Sequence, residues 1–353
     1  MNNIIKEDLS VIYGSDLNWS EFKNKTFLIT GSTGLISSYL VYTLMYLNKI
    51  DNANIKIIAP VRDLLKMSSK FFELLGNNNF LPVLSDISRH MVVDGNIDYI
   101  IHAASPAASN HYATNPLSVF NANVTATKNL LELAKAHNTK RFMFVSSGEV
   151  SGKITENSSC PNHYLSELDI NELEYGELDP LEPRNIYAES KRMGEALCVA
   201  YTRQFGINTV IVRPDHTYSP TMDLKNDKRV FAEFVSNIVN HEPIKLKSNG
   251  SATRTFTYIT DTIDGIFRVL LKGNTAEAYN ISNAAGRTSI LNLANMLADT
   301  FNTKVVYEKR TGDYIENPDT QRPSLCTAKL EQLGYRPKVL LKEGFSRTVK
   351  SFQ

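Results

Sequence analysis

The chain has little of what marks several large classes of protein. Only three cysteines occur in 353 residues, Cys160, Cys198 and Cys326. An odd number at long spacings excludes a disulfide framework and a clustered thiolate metal site, and points to scattered reduced thiols. Neither sign of charge is in excess: 38 Lys and Arg stand against 37 Asp and Glu, for a net charge of +1. A nucleic-acid groove or an anionic-membrane surface needs a one-signed field, which this composition does not supply. Long apolar runs are missing as well. The longest, Leu35 to Leu47, contains Ser37, Ser38 and Thr43 and falls short of the roughly 20 residues that span a bilayer. The N-terminus, Met1 to Asp8, is polar and has no apolar signal-peptide core. Neither low-complexity tracts nor repeats of solenoid period occur. What remains is the expectation of a soluble cytoplasmic protein, with no nucleic acid or membrane among its partners and enough chain for a large core.

What is present is a glycine turn. Phe27-Leu28-Ile29-Thr30 reads as a buried strand, Gly31-Ser32-Thr33-Gly34 as a tight turn, and Leu35 onwards as a helix reaching Leu47. Strand, glycine turn and helix N-terminus together cradle a phosphate, because backbone N–H groups approach the anion and the helix dipole favours its charge. Gly31, Thr33, Gly34, Leu35 and Ile36 are therefore candidate contacts of a dinucleotide. The last small position of the fingerprint, usually Gly, is Ser37. Alone this signal is weak, since any glycine turn between a strand and a helix looks similar.

Further strands follow. Ile55 to Asp63 ends in Val61-Arg62-Asp63, where an acid holds the adenosine ribose. Asp63 there favours NAD and Arg62 favours the 2′-phosphate of NADP, so both stay open. Phe80 to Leu84 is a third strand, followed by Asp86 and Ile87 near the place of an adenine ring. Ile97 to His102 is a fourth, and Ala103, Ala104, Ser105 and Pro106 at its end leave room in the crevice. A helix from Pro116 to His137, a strand from Arg141 to Ser146, a polar loop from Ser151 to Pro183, a helix from Tyr187 to Phe205 and a strand from Thr209 to Arg213 ending at Pro214 complete the alternation. This is the pattern of a Rossmann-type, doubly wound parallel α/β sheet. From Tyr218 the composition shifts towards a smaller C-terminal α/β lobe, with a helix at Val230 to Asn240 and a strand at Ile244 to Leu246. A helix at Thr260 to Leu271 precedes a strand, Ala278 to Ser282, that rejoins the main sheet. Ser289 to Phe301 is a last amphipathic helix. The expected division is 1–24 as an extension, 25–217 with 256–284 as the dinucleotide-binding domain, and 218–255 with 285–353 as the substrate lobe. In the extension, Ile12, Tyr13, Leu17, Trp19 and Phe22 suit a small packing cap.

Two features raise the glycine turn above chance. In Tyr187-Ala188-Glu189-Ser190-Lys191, positions i and i+4 share one helix face. An ammonium beside the phenol lowers its pKa from about 10 towards working pH, so that Tyr187 takes a proton from a substrate hydroxyl while hydride leaves. Such a pair alone is usually a surface pair. The second feature is Ser146-Ser147 at the end of the fifth strand, where a hydroxyl reaches the same substrate oxygen; its ordinary alternative is a cap or turn.

From about Lys25 to Phe352 the chain resembles the extended short-chain dehydrogenases/reductases of the NAD-dependent epimerase/dehydratase family, which modify nucleotide sugars, and within them the UDP-glucuronate decarboxylase branch. His102-Ala103-Ala104-Ser105-Pro106-Ala107-Ala108, Tyr112 and Asn115-Pro116 are similar to H-x-A-S-P-A-S…Y…N-P. Ser146 to Gly152 resembles S-T-S-E-V-Y-G, and Pro183 to Tyr187 matches P-R-x-x-Y. Arg213 to Pro220 stands where R-x-F-N-T-Y-G-P would be. Gly250 to Tyr258 matches G-S-x-T-R-x-F-x-Y, and Arg322-Pro323 with Leu333 to Pro337 resembles the closing segments.

The resemblance implies a tightly bound NAD or NADP, with a lean to NAD, and a nucleoside-diphosphate sugar oxidised at C4. Tyr187 is then the base, Lys191 and Ser147 its partners, and Glu149 a glutamate shared by decarboxylases and 4,6-dehydratases. Ile87, Ala103, Ala104, Ser105, Asn123, Ser146 and Pro214 join the cofactor contacts. Ser105, Pro106, Arg184, His216, Arg254 and Arg322 face the sugar nucleotide, arginine forks being suited to carboxylate and phosphate. A 4-ketone acidifies C5 and loosens a C5 carboxylate, so decarboxylation leads; 4-epimerisation, 4-ketoreduction and, less favoured, 4,6-dehydration are alternatives. The resemblance also implies polysaccharide biosynthesis and a homodimer through the helices 116–137 and 187–205. Gly148 stands where dehydratases place an Asp and decarboxylases usually a Ser, Ser151 where a Tyr shapes the sugar pocket, and His216 where an Asn contacts the nucleotide. Ser219 and Thr221 replace Gly and Arg. A non-catalytic dinucleotide-binding regulator is the remaining reading, disfavoured because both Tyr187 and Lys191 are present.

Overall fold

The computed structural model describes residues 1–106, 112, 114–154, 169–308 and 324–353. In chain order the strands are β1 (Thr26–Thr30), β2 (Lys56–Val61), β3 (Phe80–Leu84), β4 (Tyr99–His102), β5 (Arg141–Val145), β6 (Thr209–Pro214), β7 (His216–Tyr218), β8 (Ile244–Leu246), β9 (Thr253–Tyr258), β10 (Glu277–Ile281), β11 (Arg287–Ser289) and β12 (Val305–Tyr307). The α-helices are α1 (Asn3–Tyr13), α2 (Leu35–Asp51), α3 (Leu64–Lys70), α4 (Pro116–Phe120), α5 (Ala126–Ala136), α6 (Ile186–Phe205), α7 (Val230–Val239), α8 (Ile259–Lys272), α9 (Ile290–Phe301), α10 (Ala328–Glu331) and α11 (Leu341–Lys350).

β10, β6, β5, β4, β1, β2 and β3 lie side by side in that order. All six pairings are parallel. Connection direction reverses between β1 and β4, and ligands bind such sheets outside the strand ends at this switch point. Both sheet faces are covered, so the central strands are apolar on both sides: β6 is buried at every position. One core packs β1, β2 and β10 against α1, α2, α8 and the lobe. The other packs Leu28, Ile100, Phe142, Phe144 and Ile211 against Leu130, Leu131 and Cys198 of α5 and α6. Asn115 caps α4 and Pro116 stands at its first turn, while Gly206 in the left-handed region ends α6. Residues 121–125 form one π turn between α4 and α5, so the helix expected from Pro116 to His137 carries a bulge in its middle.

Beyond the main sheet, β7 pairs with β9 in parallel and β9 with β11 in antiparallel register. β8 pairs with β12. Among the described residues no helix is long and apolar enough to cross a membrane.

Residues 1–24 pack on the main domain as expected, and more deeply than a surface cap. Trp19 packs edge-on to Phe267 at 5.2 Å, Phe22 lies among Phe27, Tyr99 and Phe267, and Asp8 is only 1% exposed. The cysteines are not all reduced. Cys198 is free and buried, but Cys326 is disulfide-bonded, to a partner outside the described residues. The reason is topological. Ile170 at the end of the polar loop bonds the backbone of Ser324 and Cys326, a crossing that sequence spacing does not reveal.

Candidate active site

The glycine turn is shaped for close approach. Gly31 has φ +65°, and a Cβ added to it would lie 2.7 Å from the Cα of Ala104. Only glycine tolerates both conditions. The Gly34 N–H donates to the Gly31 carbonyl at 2.7 Å, and α2 begins at the next residue. Thr30 fixes the facing wall. Its hydroxyl donates to His102 Nδ1 at 2.8 Å and accepts the N–H groups of Ala103 and Ala104, each at 3.2 Å. His102 Nε2–H donates in turn to the Ala122 carbonyl at 3.0 Å. Burial pushes the His102 pKa down to about 3, so the ring is neutral and this tautomer is held. At the same turn the hydroxyls of Ser32 and Ser105 are buried without a protein partner. A cradle that a Cβ would fill, a helix N-terminus and two unpartnered hydroxyls fit a pyrophosphate.

The other cofactor candidates fall around this turn. Asp63 accepts the Lys66 N–H at 2.9 Å and caps α3, and the exposed Arg62 precedes it. Asp86 accepts both the N–H and the hydroxyl of Ser88. These bonds, its side-chain bond to Ser88 first, hold its carboxyl below the usual range. The Ile87 carbonyl accepts from Asn129. Asn123 lies in the π turn, where its amide donates to Ser190 Oγ at 2.9 Å and its Oδ1 is buried without a partner. π turns of this kind frequently mark functional sites. Pro214 ends β6, beside Ser146, whose N–H bonds Val212.

Tyr187 and Lys191 lie in the first two turns of α6, against the end of β5. Both are buried, Tyr187 9% and Lys191 2% exposed. The Ser147 hydroxyl hydrogen-bonds the Tyr187 phenol, and Glu149 and Arg229 act on it electrostatically with opposite sign. Lys191 Nζ donates to the Val145 carbonyl at 2.6 Å and lies 5.9 Å from the centre of the Tyr187 ring. The expected depression of the phenol is corrected here. Burial pushes Tyr187 up to about 12, against the Ser147 bond, and pushes Lys191 down to about 7. Desolvation is the largest cause for both groups, with Ser147 opposing it at Tyr187 and Glu195 opposing it at Lys191.

A second polar layer, missed in the sequence, lies behind this pair. Ser146 Oγ donates to Glu195 Oε1 at 2.6 Å, and Arg213 forks onto the same carboxylate at 2.9 and 2.6 Å. Arg213 also donates to the Glu172 carbonyl and to Tyr175 Oη. The Ser146 hydroxyl is thus directed to Glu195, one helix turn beyond Lys191. That spacing, an acid at i+4 from the lysine, was the available signal. Tyr112, quoted only as a motif letter, stacks on Tyr187 with ring centres 5.0 Å apart. Arg229 had no sequence signal; it forks onto Asp227 at the start of α7.

On the substrate side, Gly148 follows Ser147 in a 3-10 turn that also carries Glu149. A Cβ at 148 would meet the Leu325 side chain at 2.8 Å, so Leu325 occupies the space of a larger residue. The Ser151 hydroxyl is buried and unpartnered. His216 packs edge-on to Phe256, and its register partner on β9 is that same residue. Arg254, two residues earlier on β9, is 8% exposed and donates to the Thr253 carbonyl. Arg184 sits in the turn before α6, and Pro106 follows Ser105 in the crevice wall. Arg322 lies outside the described residues. Among the described residues no group of three or more His, Cys, Asp or Glu side chains is placed to hold a metal.

Residues 27–282 match the model of the NAD dependent epimerase/dehydratase family. UDP-glucuronic acid decarboxylase 3 of Arabidopsis thaliana is 30% identical over 330 residues, covering 94% of this chain and 90% of that protein. The fold is shared with UDP-glucuronic acid 4-epimerase from Bacillus cereus, solved with UDP-glucuronic acid and NAD, at a TM-score of 0.73 and 23% identity over 93% of this chain and 98% of that one. It is shared equally with dTDP-glucose 4,6-dehydratase from Streptomyces venezuelae, solved with NAD, at a TM-score of 0.74 and 23% identity over 93% and 96%.

Proposed function

The chain belongs to the NAD dependent epimerase/dehydratase family, and from that premise we propose that it binds NAD tightly, oxidises C4 of a nucleoside-diphosphate sugar, and acts as a UDP-glucuronate decarboxylase. The observation that carries the redox half is the cluster of Tyr187, Lys191 and Ser147 at the end of β5, across the crevice from the Gly31 turn. The decarboxylase relatives carry the choice of reaction, and the Leu325-filled space at Gly148 leaves no room for the acid of a dehydratase.

Gly31, Thr33, Gly34, Leu35 and Ile36 hold the pyrophosphate, with Ser32 and Ser105 hydroxyls at hand. Asp63 serves the ribose. The oxidised nicotinamide, when bound, supplies a hydride acceptor and a positive charge beside Tyr187. Tyr187 takes the proton of the C4 hydroxyl, Ser147 hydrogen-bonds the same oxygen, and Lys191, in its protonated form, places positive charge next to the phenolate. The resulting C4 ketone stands β to the C5 carboxylate, so the C5–carboxyl bond breaks with its electron pair delocalised into the ketone. Carbon dioxide leaves, a proton is taken up at C5, and the UDP-pentose would form when the hydride taken from C4 is returned there while Tyr187 gives its proton back to the C4 oxygen. Arg184, Arg254 and Arg322 serve the carboxylate and diphosphate, and Glu149 lies at the sugar. Residues 25–217 with 256–284 form the cofactor domain, and 218–255 with 285–353 the sugar-nucleotide lobe. Leu117, Phe120 and Met193 are exposed on α4 and α6, which supports a homodimer through these helices.

The test is purified protein with NAD and UDP-glucuronate and no added reductant, followed by carbon dioxide trapping and NMR of the product. Carbon dioxide with a UDP-pentose is expected. A second reading rests on Ser151, a small unpartnered hydroxyl where the decarboxylase pattern has Tyr. If no carbon dioxide forms and C4 epimers interconvert, the enzyme is a 4-epimerase; consumption of one NADPH per 4-keto sugar marks a ketoreductase.

A further inference from the structure

The family match begins at Phe27, yet the residues before it place a carboxylate at the junction of three elements. Asp8, on α1, is 1% exposed. Its Oδ2 accepts the phenols of Tyr39 at 2.7 Å and Tyr258 at 2.8 Å. Its Oδ1 accepts Arg347 Nε at 3.1 Å and Nη2 at 2.7 Å. Each donor comes from a different place. Tyr39 is one helical turn past Leu35, where the phosphate cradle opens into α2. Tyr258 is the last residue of β9, four residues after Arg254. Arg347 belongs to α11, whose Phe345 stacks on Tyr218 at 4.0 Å. All four hydrogen bonds run to one carboxylate, so none can shift without the others. The contact is charge-assisted on the Arg347 side, and such bonds are shorter and stronger than neutral ones. Arg347 also pairs with Glu7 at 3.1 Å, and Asn2 bonds the Ser351 carbonyl, so α1 and α11 are joined along their length.

A surface cap would not need this. Apolar packing by Leu9 and Ile12 already holds α1 in place, and burying the Asp8 carboxylate carries a desolvation cost that the two phenols and the Arg347 fork offset. We propose that Asp8 is a positioning residue that braces the cofactor helix α2 against strand β9, so that Arg254 is presented to the sugar nucleotide at a fixed distance from the cradle. The inference rests on the functional reading above, in which α2 serves NAD and Arg254 the sugar nucleotide. Holding a binding side chain within a fraction of an ångström is how such supporting contacts act on affinity.

The experiment compares the full-length wild type with Asp8→Asn and Tyr258→Phe. NAD and UDP titrations give the two affinities, and hydrogen exchange without ligand reads the amides of 253–258 against those of β4 and β5. Asp8→Asn is expected to weaken UDP about 10-fold while NAD stays within about twofold, and to speed exchange in β9 but not in β4 or β5. Tyr258→Phe, which removes one hydroxyl and leaves the core packing, gives the same pattern at smaller size and decides the matter if Asp8→Asn does not fold. Unchanged β9 exchange, or UDP and NAD affinities falling together, overturns the brace and leaves Asp8 a plain anchor of α1. If the wild type binds neither NAD nor UDP, the functional reading fails; β9 exchange still decides whether Asp8 braces the two elements.

Discussion

The two walls of the crevice are built differently. On the α6 wall the polar groups are tied to one another: Ser147 to Tyr187, Lys191 to Val145, Ser146 and Arg213 to Glu195. On the glycine wall, Thr30 and His102 fix the backbone, but the Ser32 and Ser105 hydroxyls are buried with no protein partner. Buried polar atoms are rarely left unpaired. The difference shows which wall is preorganised by the chain itself and which is completed by what it binds. A substitution on the α6 wall should therefore damage chemistry or folding, and one on the glycine wall should damage ligand affinity.

The sharpest break of this contrast is Tyr187→Phe. It removes the proton acceptor but keeps the ring that stacks on Tyr112. Turnover should fall about 1000-fold, within the range of a positioned acid–base group, while NAD affinity stays within about twofold. If NAD binding fell in step with turnover, the phenol would belong to the glycine wall's function and the contrast would dissolve.

Arg213→Ala comes next. It leaves Glu195, on the catalytic helix, as a buried charge without its fork. Removing one partner of a buried pair costs about 3–5 kcal/mol, and denaturant melting should show a loss of that order. Arg213→Lys should recover only part of it, because an ammonium cannot fork onto the carboxylate and still reach Glu172 and Tyr175. A loss under about 1 kcal/mol would mean that the α6 wall is held by apolar packing alone.

These two walls were not equally legible in the sequence. The glycine turn, Tyr187, Lys191 and the strand–helix alternation follow from local patterns, and the strand ends fall within a residue or two of where apolar runs stop. The same holds for α6, whose end is written in Gly206. What local patterns missed is non-local. β7, β9 and β11 are short strands that exist by pairing with each other, and Arg213 meets Glu172 across 41 residues. Asp8 meets Tyr258 and Arg347 across 250 and 339 residues. Helix spacing gave the proximity of Tyr187 and Lys191 but not their burial, and burial dominates the shift of each group.

Gly31→Ala tests the glycine wall from the other side. The left-handed backbone costs a non-glycine residue roughly 1–2 kcal/mol, and the added Cβ meets Ala104 backbone. Titration should show NAD affinity reduced about 10-fold or more, with Tm lowered by a few degrees. Retained NAD affinity would remove the turn from the pyrophosphate site.

The smallest effect is expected at Asp215, where the R-x-F-N pattern has Phe. Its Oδ2 accepts the Ser282 hydroxyl at 2.6 Å, its Oδ1 is buried without a partner, and burial pushes its pKa up to about 7. The ordinary carboxyl value is near 4. Between those two values the native chain holds a proton that the unfolded chain has released, so stability falls as pH rises from about 4 to about 7. Above about 7 the native carboxyl is ionised as well, and the burial cost is then fully expressed. Asp215→Asn keeps a neutral acceptor for Ser282 and removes the ionisation. It should match the wild type near pH 4 and exceed it at pH 8, with a flatter stability profile between. Because Asp215 directly follows β6, the neighbour of β5 in the sheet, the same variant separates stability from chemistry: a stabilised protein with unchanged turnover at pH 8 keeps Asp215 outside the reacting groups, whereas a loss of turnover without a loss of stability would extend the α6 wall's network to this carboxyl.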